Sequence, residues 1–469
     1  MMWRFDKFTD NLAAIDDKGN CITYGQLEKL SNEFNSICTR KLCFNICQNS
    51  IGSMAGYAAM INSGVVPVMV AEDMDKELLN DLLEKYKPQY IWIPDDRKEE
   101  YSDYEDILCD FGYTLKRTLF DENIDLYDEL ALLLTTSGST GSPKLVRQSY
   151  RNILTNTESI VEYLKLDSSE RPITTLPMNY TYGISIINSH LYVGATILIT
   201  DKTLMQKEFW TFLRDNNATS FGGVPYTYEM LKKLRFFRMP NDSIRTMTQA
   251  GGKLTPELHK EFAEYAKSTG KNFIVMYGQT EATARMAYLP ADKSLEKFGS
   301  MGIAIPGGTF SLIDVNGQEI SETETVGELV YFGANVTLGY ATIREDLAKG
   351  DERNGRLETG DMAKRDKDGF YYIVGRKKRF LKIYGKRVNL DEIDTLVKEG
   401  FDGIDCASAG TDDNMYVFIT NSALIDDVRK YVIDKTHLSI SAIKVQYIES
   451  IPRNDAGKIR YTEFEKYYK

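Results

Sequence analysis

The order of hydrophobic and polar positions predicts alternating helices and strands in the first third of the chain. Residues Tyr24 to Ile37 and Lys76 to Tyr86 have apolar side chains at helical spacing, and Met54 to Ser63 is small and apolar. Val65 to Val70 and Tyr90 to Ile93 are short apolar runs typical of buried strands. Because helices alternate with buried strands, the pattern predicts layered α/β structure with open parallel sheets.

Later apolar runs indicate where the chain changes domain. Leu130 to Leu134 is a buried-strand run that ends in a segment rich in glycine, serine and threonine, and a helical pattern runs from an N-cap at Ser149 to Leu164. Gly369 to Gly375 is strand-like, and a strongly basic segment follows it. We therefore predict an N-terminal domain of residues 1–377 and a C-terminal domain of residues 378–469.

The last ninety or so residues have the pattern of a small α+β domain. A helix opened by Asn389 is followed by strands, one of them from Tyr416 to Thr420, by a helix from Leu424 to Ile433 and by a strand from Ile443 to Ile448.

Composition narrows the classes of protein that fit this pattern. At 469 residues the chain exceeds the size of one hydrophobic core, and its 42% of apolar and 27% of charged residues are ordinary for a globular protein. The net charge of -11 argues against binding to nucleic acid or to an anionic membrane. Six scattered cysteines and three histidines argue against a zinc site. With no signal-peptide pattern and no apolar run of membrane length, we expect a cytoplasmic protein.

The densest chemical signal is the loop after Leu134, which predicts a phosphate-binding site. Its glycines let backbone amides turn toward an anion, its hydroxyls add donors and its lysine adds charge. It is not a Walker A loop, because Ser142 and Pro143 separate the glycine from the lysine. The predicted phosphate contacts are Thr136, Ser137, Gly138, Ser139, Thr140, Gly141 and Lys144.

This loop resembles the signature of the adenylate-forming superfamily, which comprises acyl-CoA synthetases, adenylation domains of peptide synthetases and luciferases. The chain departs from that signature at Leu145, where glycine is usual, and at Ser149-Tyr150, where Thr-His is usual. Family-like stretches also occur at Val224-Pro225, at Ala250-Gly251-Gly252 and from Gly333 to Tyr340. The resemblance implies a large N-terminal domain of layered α/β sheets with a small barrel and a small mobile α+β C-terminal domain.

A second motif, Tyr277-Gly278-Gln279-Thr280-Glu281, matches the family pattern Tyr-Gly-x-Thr-Glu. The resemblance implies that Tyr277 stacks on adenine, that Thr280 reaches the α-phosphate and that Glu281 helps to hold magnesium. A carboxylate is a hard oxygen ligand of the kind that Mg²⁺ prefers. Gly251, Gly252 and Gly278 are further nucleotide contacts that the resemblance implies.

Two motifs near the C-terminus complete the implied nucleotide site. In the family, the aspartate of Thr-Gly-Asp binds the ribose hydroxyls and a following arginine contacts the nucleotide, and these roles pass to Asp361 and Arg376. Lys378 occupies the family's hinge position. Lys458, in a Pro-x-x-x-x-Gly-Lys-Ile motif, is implied to cancel the repulsion between the substrate carboxylate and the α-phosphate.

The predicted acyl pocket comprises Tyr180, Thr181, Tyr182, Gly183 and Met276. Domains that activate α-amino acids place an aspartate where this chain has Thr181. A hydroxyl does not replace that charge, so we expect an acyl or hydroxyacyl substrate rather than an α-amino acid.

The expected overall reaction is ATP- and Mg²⁺-dependent activation of a small-molecule carboxylic acid to acyl-AMP, followed by transfer to a thiol. The family's thiol-transfer loop corresponds to Lys382 to Gly385, in which Lys382 and Gly385 are candidate catalytic residues. The basic segment 376–387 suits either the phosphates of coenzyme A, the favoured acceptor, or an acyl carrier protein with its phosphopantetheine. The weighed alternatives are a phosphoryl-transfer NTPase and an inactive binding module.

Overall fold

A computed structural model describes residues 2–121, 125–135, 144–384, 386–453 and 459–468, with the side chains at 378, 386 and 387 left out. Ten α-helices lie in these residues: α1 (Tyr24–Cys38), α2 (Ile51–Ser63), α3 (Lys76–Tyr86), α4 (Tyr150–Leu164), α5 (Thr181–Tyr192), α6 (Lys207–Asp215), α7 (Pro225–Lys233), α8 (Pro256–Thr269), α9 (Leu390–Gly400) and α10 (Ile425–Thr436).

The strands of the same residues fall into five sheets. They are β1 (Leu12–Asp16), β2 (Cys21–Thr23), β3 (Leu42–Cys47), β4 (Val66–Ala71), β5 (Tyr90–Pro94), β6 (Glu105–Asp110), β7 (Tyr113–Arg117), β8 (Leu130–Thr135), β9 (Leu145–Ser149), β10 (Pro172–Ile173), β11 (Ile197–Ile199), β12 (Ser220–Gly223), β13 (Thr246–Gln249), β14 (Asn272–Tyr277), β15 (Ala287–Tyr288), β16 (Ile303–Ala304), β17 (Gly308–Ile313), β18 (Gly327–Gly333), β19 (Gly339–Ala341), β20 (Arg356–Arg365), β21 (Tyr371–Arg376), β22 (Phe380–Ile383), β23 (Lys386–Asn389), β24 (Cys406–Thr411), β25 (Asn414–Ile419) and β26 (Ile443–Tyr447).

Two large sheets have parallel centres and antiparallel margins. The eight-stranded sheet has the order β19-β9-β8-β4-β3-β5-β7-β6, and β8, β4, β3 and β5 are parallel. The nine-stranded sheet has the order β16-β15-β14-β13-β12-β10-β11-β1-β2, and its strands from β14 to β1 are parallel. The predicted layered α/β architecture is therefore confirmed, although antiparallel strands extend both sheets.

Local sequence signals explain where several helices begin and end. Thr23 accepts a hydrogen bond from the backbone of Gln26 at the start of α1, and Ser149 does the same for Asn152 at the start of α4. The Ser149 N-cap is thus confirmed. Every residue of α2 is buried, which is why its sequence is apolar on all sides and lacks a helical stripe.

Contacts divide the chain into two compact units. One comprises Met1–Phe310 and Tyr331–Leu357, and the other comprises Ser311–Val330 and Glu358–Lys469. The second unit contains a three-stranded sheet of order β24-β25-β26, the hairpin β22-β23 and a core that buries apolar side chains of α9 and α10. The boundary after residue 377, and the mobility of the C-terminal domain, stay predictions.

All six cysteines are free thiols, and four of them are buried. Burial raises the pKa of Cys38, Cys47 and Cys406 to about 12 and raises that of Cys43 as well. Among the described residues, no helix combines the length and the apolar character needed to cross a membrane.

Candidate active site

Several predicted site residues of the first unit follow strands of the nine-stranded sheet. The loop from β10 leads to Tyr180, β12 leads to Val224, β13 leads to Gly251, and β14 ends at Tyr277. Because these strands are parallel neighbours, their carboxyl ends meet at one edge. In open α/β sheets this edge is where ligands bind.

The carboxylate of Glu281 is fixed in place by a tyrosine from another element. Glu281 lies in a 3-10 turn, Thr280–Ala282, and its Oε1 accepts a hydrogen bond of 2.7 Å from the hydroxyl of Tyr340 in β19. The backbone carbonyl of Glu281 accepts hydrogen bonds from Thr337 N, Thr337 Oγ1 and Arg353 Nη1, each 3.0 Å long. The turn is therefore held from both its side chain and its backbone.

Two cations surround the ring of Tyr340. The ammonium of Lys144 lies 5.7 Å from its centroid, and the guanidinium of Arg353 lies 4.8 Å from it. Burial, together with the neighbouring Glu281, raises the pKa of Tyr340 to about 12. The hydroxyl therefore stays protonated at neutral pH and donates to Glu281. Sequence reasoning assigned no role to Tyr340, Arg353 or Thr337, although Tyr340 ended a family-like stretch.

The donor set at Glu281 suits a magnesium ion that is shared with phosphates. Among the described residues, no group of three or more histidine, cysteine, aspartate or glutamate side chains could hold a metal ion alone. Mg²⁺ commonly takes one or two protein carboxylates and completes its shell with water and phosphate oxygens. A single anchored carboxylate near Lys144 fits that arrangement, so Glu281 could hold the ion beside a nucleotide.

Three described glycines of the predicted nucleotide site, Gly251, Gly252 and Gly278, lie close to atoms of neighbouring residues. A Cβ at Gly278 would lie 1.6 Å from the carbonyl oxygen of Ala284, so glycine is required there. Gly251 has φ +82°, and a Cβ on it would lie 2.8 Å from the hydroxyl of Tyr180. Gly252 follows it, beside Pro225. Tyr277 is half-buried and packs against Met286 and its apolar neighbours.

Three of the five predicted acyl-pocket residues lie in one apolar cluster. Tyr180, Tyr182 and Met276 pack with Leu176, Val224, Ala250, Ile274 and the partly buried Tyr163 and Tyr288. Thr181 and Gly183 are buried at the start of α5, where Gly183 approaches the backbone of Pro177. The hydroxyl of Tyr182 is 2.8 Å from Thr248 Oγ1, and burial raises the pKa of Tyr182 to about 12.

A buried arginine that sequence reasoning missed lies against this cluster. The guanidinium of Arg285 is 4.6 Å from the ring centroid of Tyr182 and donates to Ser185 Oγ and to the hydroxyl of Tyr163. The available signal was its isolation, because Arg285 is the one charged residue between Ala282 and Leu289. A charge in an otherwise apolar run indicates a buried ion with a specific partner.

In the second unit, Asp361 and Arg376 face each other on neighbouring strands. They are paired residues of β20 and β21, and Arg376 Nε lies 3.4 Å from Asp361 Oδ1. Asp361 is buried, whereas the arginine is largely exposed. The structure thus brings together two of the residues to which the resemblance gives a nucleotide contact. The roles themselves stay predictions.

In the basic segment near the predicted hinge, the described side chains of Lys377 and Arg379 are engaged in ion pairs. Lys377 Nζ lies 2.6 Å from Glu328, and the buried Arg379 pairs with Asp391 at 2.8 Å and with Asp394 at 2.6 Å. The side chain of Lys382 in β22 is exposed. Lys378 lies in a 3-10 turn, and its side chain is outside the described residues.

Several predicted site residues lie outside the described part of the chain, so their roles also stay predictions. They are Thr136, Ser137, Gly138, Ser139, Thr140, Gly141, Gly385 and Lys458.

Comparison with known proteins identifies a matching family and several relatives. The model of the family described as AMP-binding enzyme matches residues 2–341. The sulfoacetate–CoA ligase of Cupriavidus necator is 26% identical over 342 residues, which are 71% of this chain and 66% of that protein. The peroxisomal OPC-8:0-CoA ligase 1 of Arabidopsis thaliana is 30% identical over 353 residues, which are 72% and 64%. The matches thus span about two thirds or less of these relatives.

Solved structures share the fold over nearly the whole chain. The o-succinylbenzoate coenzyme A synthetase of Bacillus subtilis, in complex with AMP, superposes with a TM-score of 0.79 at 20% identity and covers 98% of this chain and 96% of its own. ATP-bound MatB from Rhodopseudomonas palustris gives 0.78 at 20% identity, with 99% and 98% covered. The fold predicted from the motifs is confirmed.

Proposed function

The chain belongs to the AMP-binding enzyme family, and we propose that it activates a carboxylic acid with ATP and magnesium and transfers the acyl group to coenzyme A. In the first step a carboxylate oxygen attacks the α-phosphorus of ATP, which forms acyl-AMP and expels pyrophosphate. In the second step a thiolate attacks the acyl carbonyl and AMP leaves. The relatives named as CoA ligases support this overall reaction.

The observation that carries the proposal is the anchored carboxylate of Glu281. Its 2.7 Å hydrogen bond from Tyr340 fixes an oxygen ligand at the sheet edge, and Lys144 lies beside the same tyrosine ring. A fixed anion with a nearby cation suits a magnesium–triphosphate complex better than it suits an apolar ligand. When bound, magnesium would neutralise charge on the phosphates. ATP and magnesium also occur in complexes of related folds.

Different residues of the chain would bind the acid, the phosphates and the ribose in the first step. The Tyr180, Tyr182 and Met276 cluster would receive the acid, Lys144 would bind phosphate, and Asp361 would bind the ribose. Lys458 would hold the attacking carboxylate near the α-phosphate by cancelling their mutual repulsion. Thr181 occupies the position at which domains that activate α-amino acids have an aspartate. This supports an acid without an α-ammonium group.

Coenzyme A is the favoured acceptor over a carrier protein. The ion pairs of Lys377 and Arg379 neutralise two charges that a carrier protein would otherwise contact, which argues against this segment as a docking site for a carrier protein. The exposed Lys382, in the predicted thiol-transfer loop, would be available to the phosphates of coenzyme A.

The test is exchange of labelled pyrophosphate into ATP with a panel of acids, followed by mass spectrometry of the thioester. We expect acid-dependent exchange, a loss of at least about 100-fold in Lys458→Ala, and no change in the control Lys466→Ala. Gly385→Leu should retain exchange and lose thioester formation.

Three outcomes would contradict parts of the proposal. Release of ADP and phosphate instead of AMP and pyrophosphate would contradict adenylation. Undiminished exchange by Lys458→Ala would remove that lysine from the mechanism. Thioester on a carrier protein but never on coenzyme A would replace the acceptor.

A further inference from the structure

Arg285 is a buried cation without a counter-ion among the described residues. Its side chain is 2% exposed. Nε and Nη2 donate to Ser185 Oγ at 3.1 and 3.0 Å, and Nη1 donates to the hydroxyl of Tyr163 at 3.0 Å and to the sulfur of Met276. No aspartate or glutamate in the described ranges lies within 4.0 Å of the guanidinium.

The groups around Arg285 are neutral and already committed to protein acceptors. Ser185 donates its own proton to the carbonyl of Tyr182, and Tyr163 donates its proton to Met276. They accept from the guanidinium but bring no negative charge. Removing a cation from water is unfavourable unless an anion compensates for it, and hydroxyls and a thioether compensate only in part.

The other buried arginines of the described residues are compensated. Arg147 reaches Glu352, and Arg379 reaches both Asp391 and Asp394. Arg285 differs from them in location as well, because its partners Tyr163, Tyr182 and Met276 belong to the cluster that we assign to the acyl group. Among the buried arginines of the described residues, the one without a carboxylate partner thus lies in the cluster that we assign to the acyl group.

The backbone of Arg285 is fixed independently of its side chain. Its carbonyl oxygen accepts 2.8 Å from Asn156 Nδ2 and 3.0 Å from Asn335 Nδ2. The residue also lies four positions after Glu281, across a turn in which Thr283 donates to the carbonyl of Asn335. A cation on so constrained a segment can recognise a ligand with little rearrangement, which is the requirement for specificity.

We propose that the acid activated by this enzyme carries a second anionic group, a carboxylate or a sulfonate, and that Arg285 binds that group while the other carboxylate is adenylated. The inference rests on the proposed function, and it names the substrate class. The contacts above use four of the five N–H donors of the guanidinium, and the remaining one, on Nη2, would donate to an oxygen of either anion while the positive charge attracts it. A site that buries an uncompensated cation discriminates strongly against an acid whose far end is apolar.

The substrate-side test compares acids of equal length with the wild-type enzyme. The pairs are succinate with butyrate, glutarate with pentanoate and adipate with hexanoate, and 4-sulfobutanoate is added as the sulfonate arm. In pyrophosphate exchange we expect the preferred dianion to exceed its monoacid at least about 100-fold in kcat/KM. Equal or better use of the monoacids would overturn the inference and leave adenylation intact.

The protein-side test uses Arg285→Met, Arg285→Lys and the control Arg214→Met, which changes an exposed arginine of α6. We expect Arg285→Met to lose activity with the dianion about 100-fold while activity with the monoacid stays or rises. Arg285→Lys should retain part of the preference because it keeps the charge, and Arg214→Met should match wild type. An equal fall with both acids in Arg285→Met would show a structural brace and overturn the inference.

Calorimetry separates this inference from the proposed function. Binding of the dianion to the wild-type protein, lost in Arg285→Met and kept in Arg214→Met, supports the anion site without any turnover. Dianion binding that persists undiminished in Arg285→Met overturns it. Absence of exchange with every acid, despite Arg285-dependent binding, counts against adenylation alone.

Discussion

Two buried arginines of the first unit differ in whether a carboxylate contacts the guanidinium. Arg147, in β9, is 0% exposed and places its guanidinium against the carboxylate of Glu352. Arg285, at 2% exposed, meets hydroxyls, a sulfur and an aromatic ring. The remaining contacts of Arg147 are to the carbonyl oxygens of Leu338, Tyr340, Lys349 and Gly350.

The difference indicates that Arg147 has a structural role, whereas Arg285 has the ligand-binding role that we propose. Arg147 ties the segment around β19 to β9, so its donors are used within the protein. Burial lowers the pKa of Arg147, and Glu352 opposes that shift by stabilising the charge. Arg285 has no such opposing carboxylate among the described residues. The missing carboxylate partner is therefore the feature that distinguishes Arg285, for which we propose a binding role, from Arg147.

The largest expected difference between the two arginines is in the free energy of unfolding that is lost when each is replaced. We expect Arg147→Met to lower the free energy of unfolding by about 3 kcal/mol, because it leaves several carbonyls without donors. Arg285→Met should change it by about 1 kcal/mol or less, since losing an uncompensated buried charge costs little. Urea unfolding measures both, with Arg214→Met as the surface control.

If Arg285→Met is as destabilising as Arg147→Met, the two arginines have the same structural role and the comparison fails. If both variants are mild, Arg147 is not the brace that its contacts indicate.

The cost of a buried charge without a counter-ion can also be measured through the pH dependence of a buried histidine near Arg285. His190, in α5, donates from Nδ1 to the carbonyl of Ile186, and its Nε2 has no hydrogen-bond partner among the described residues. Burial, and secondarily Arg285, lowers the pKa of His190 to about 4. The unfolded chain takes up the proton near pH 6.5, whereas the folded protein resists it until about pH 4.

Stability from His190 is therefore complete above pH 6.5 and falls as the pH drops toward 4. Between pH 7.5 and pH 5 we expect this residue to lower the free energy of unfolding by about 2 kcal/mol. His190→Asn, which keeps a donor near Ile186, should show a correspondingly smaller pH dependence in urea unfolding. Identical pH profiles for the two proteins would mean that His190 is not buried as a neutral base.

The smallest expected effect concerns the segment that Arg147 holds. Tyr340→Phe removes the hydroxyl that fixes Glu281, a contribution of about 1 kcal/mol, so the requirement for magnesium–ATP should rise about 5-fold. The matched control is Tyr331→Phe, which removes a buried hydroxyl bond to Asn335. Kinetics at varied magnesium–ATP measure the effect. An equal change in both variants would indicate general loosening rather than a role at Glu281.

Local sequence signals were sufficient for much of the fold. The helix predicted from Lys76 to Tyr86 is α3 with the same ends, because its amphipathic stripe and its start at Asp75 are both encoded locally. Helix α2 begins at Ile51, earlier than its apolar run indicated, because a helix buried on every side has no polar face to mark its start.

Site residues could be predicted from the sequence only where they belong to a short motif of consecutive residues. Glu281 and Gly278 were found from five consecutive residues. Tyr340 acts through a contact 59 positions away in sequence, and Arg147 reaches carbonyls about 200 positions away. No periodicity or motif encodes such distant pairings, since they arise when separate strands join one sheet.

The distribution of thiols determines how this chemistry can be followed in solution. A thiol-specific dye that reports consumption of coenzyme A would also label the protein at its accessible cysteines. Those are Cys21 and Cys109, because the other four are enclosed in the folded chain. The folded enzyme should therefore give a fixed background of two labels per chain, and any count above two would report unfolding during the assay.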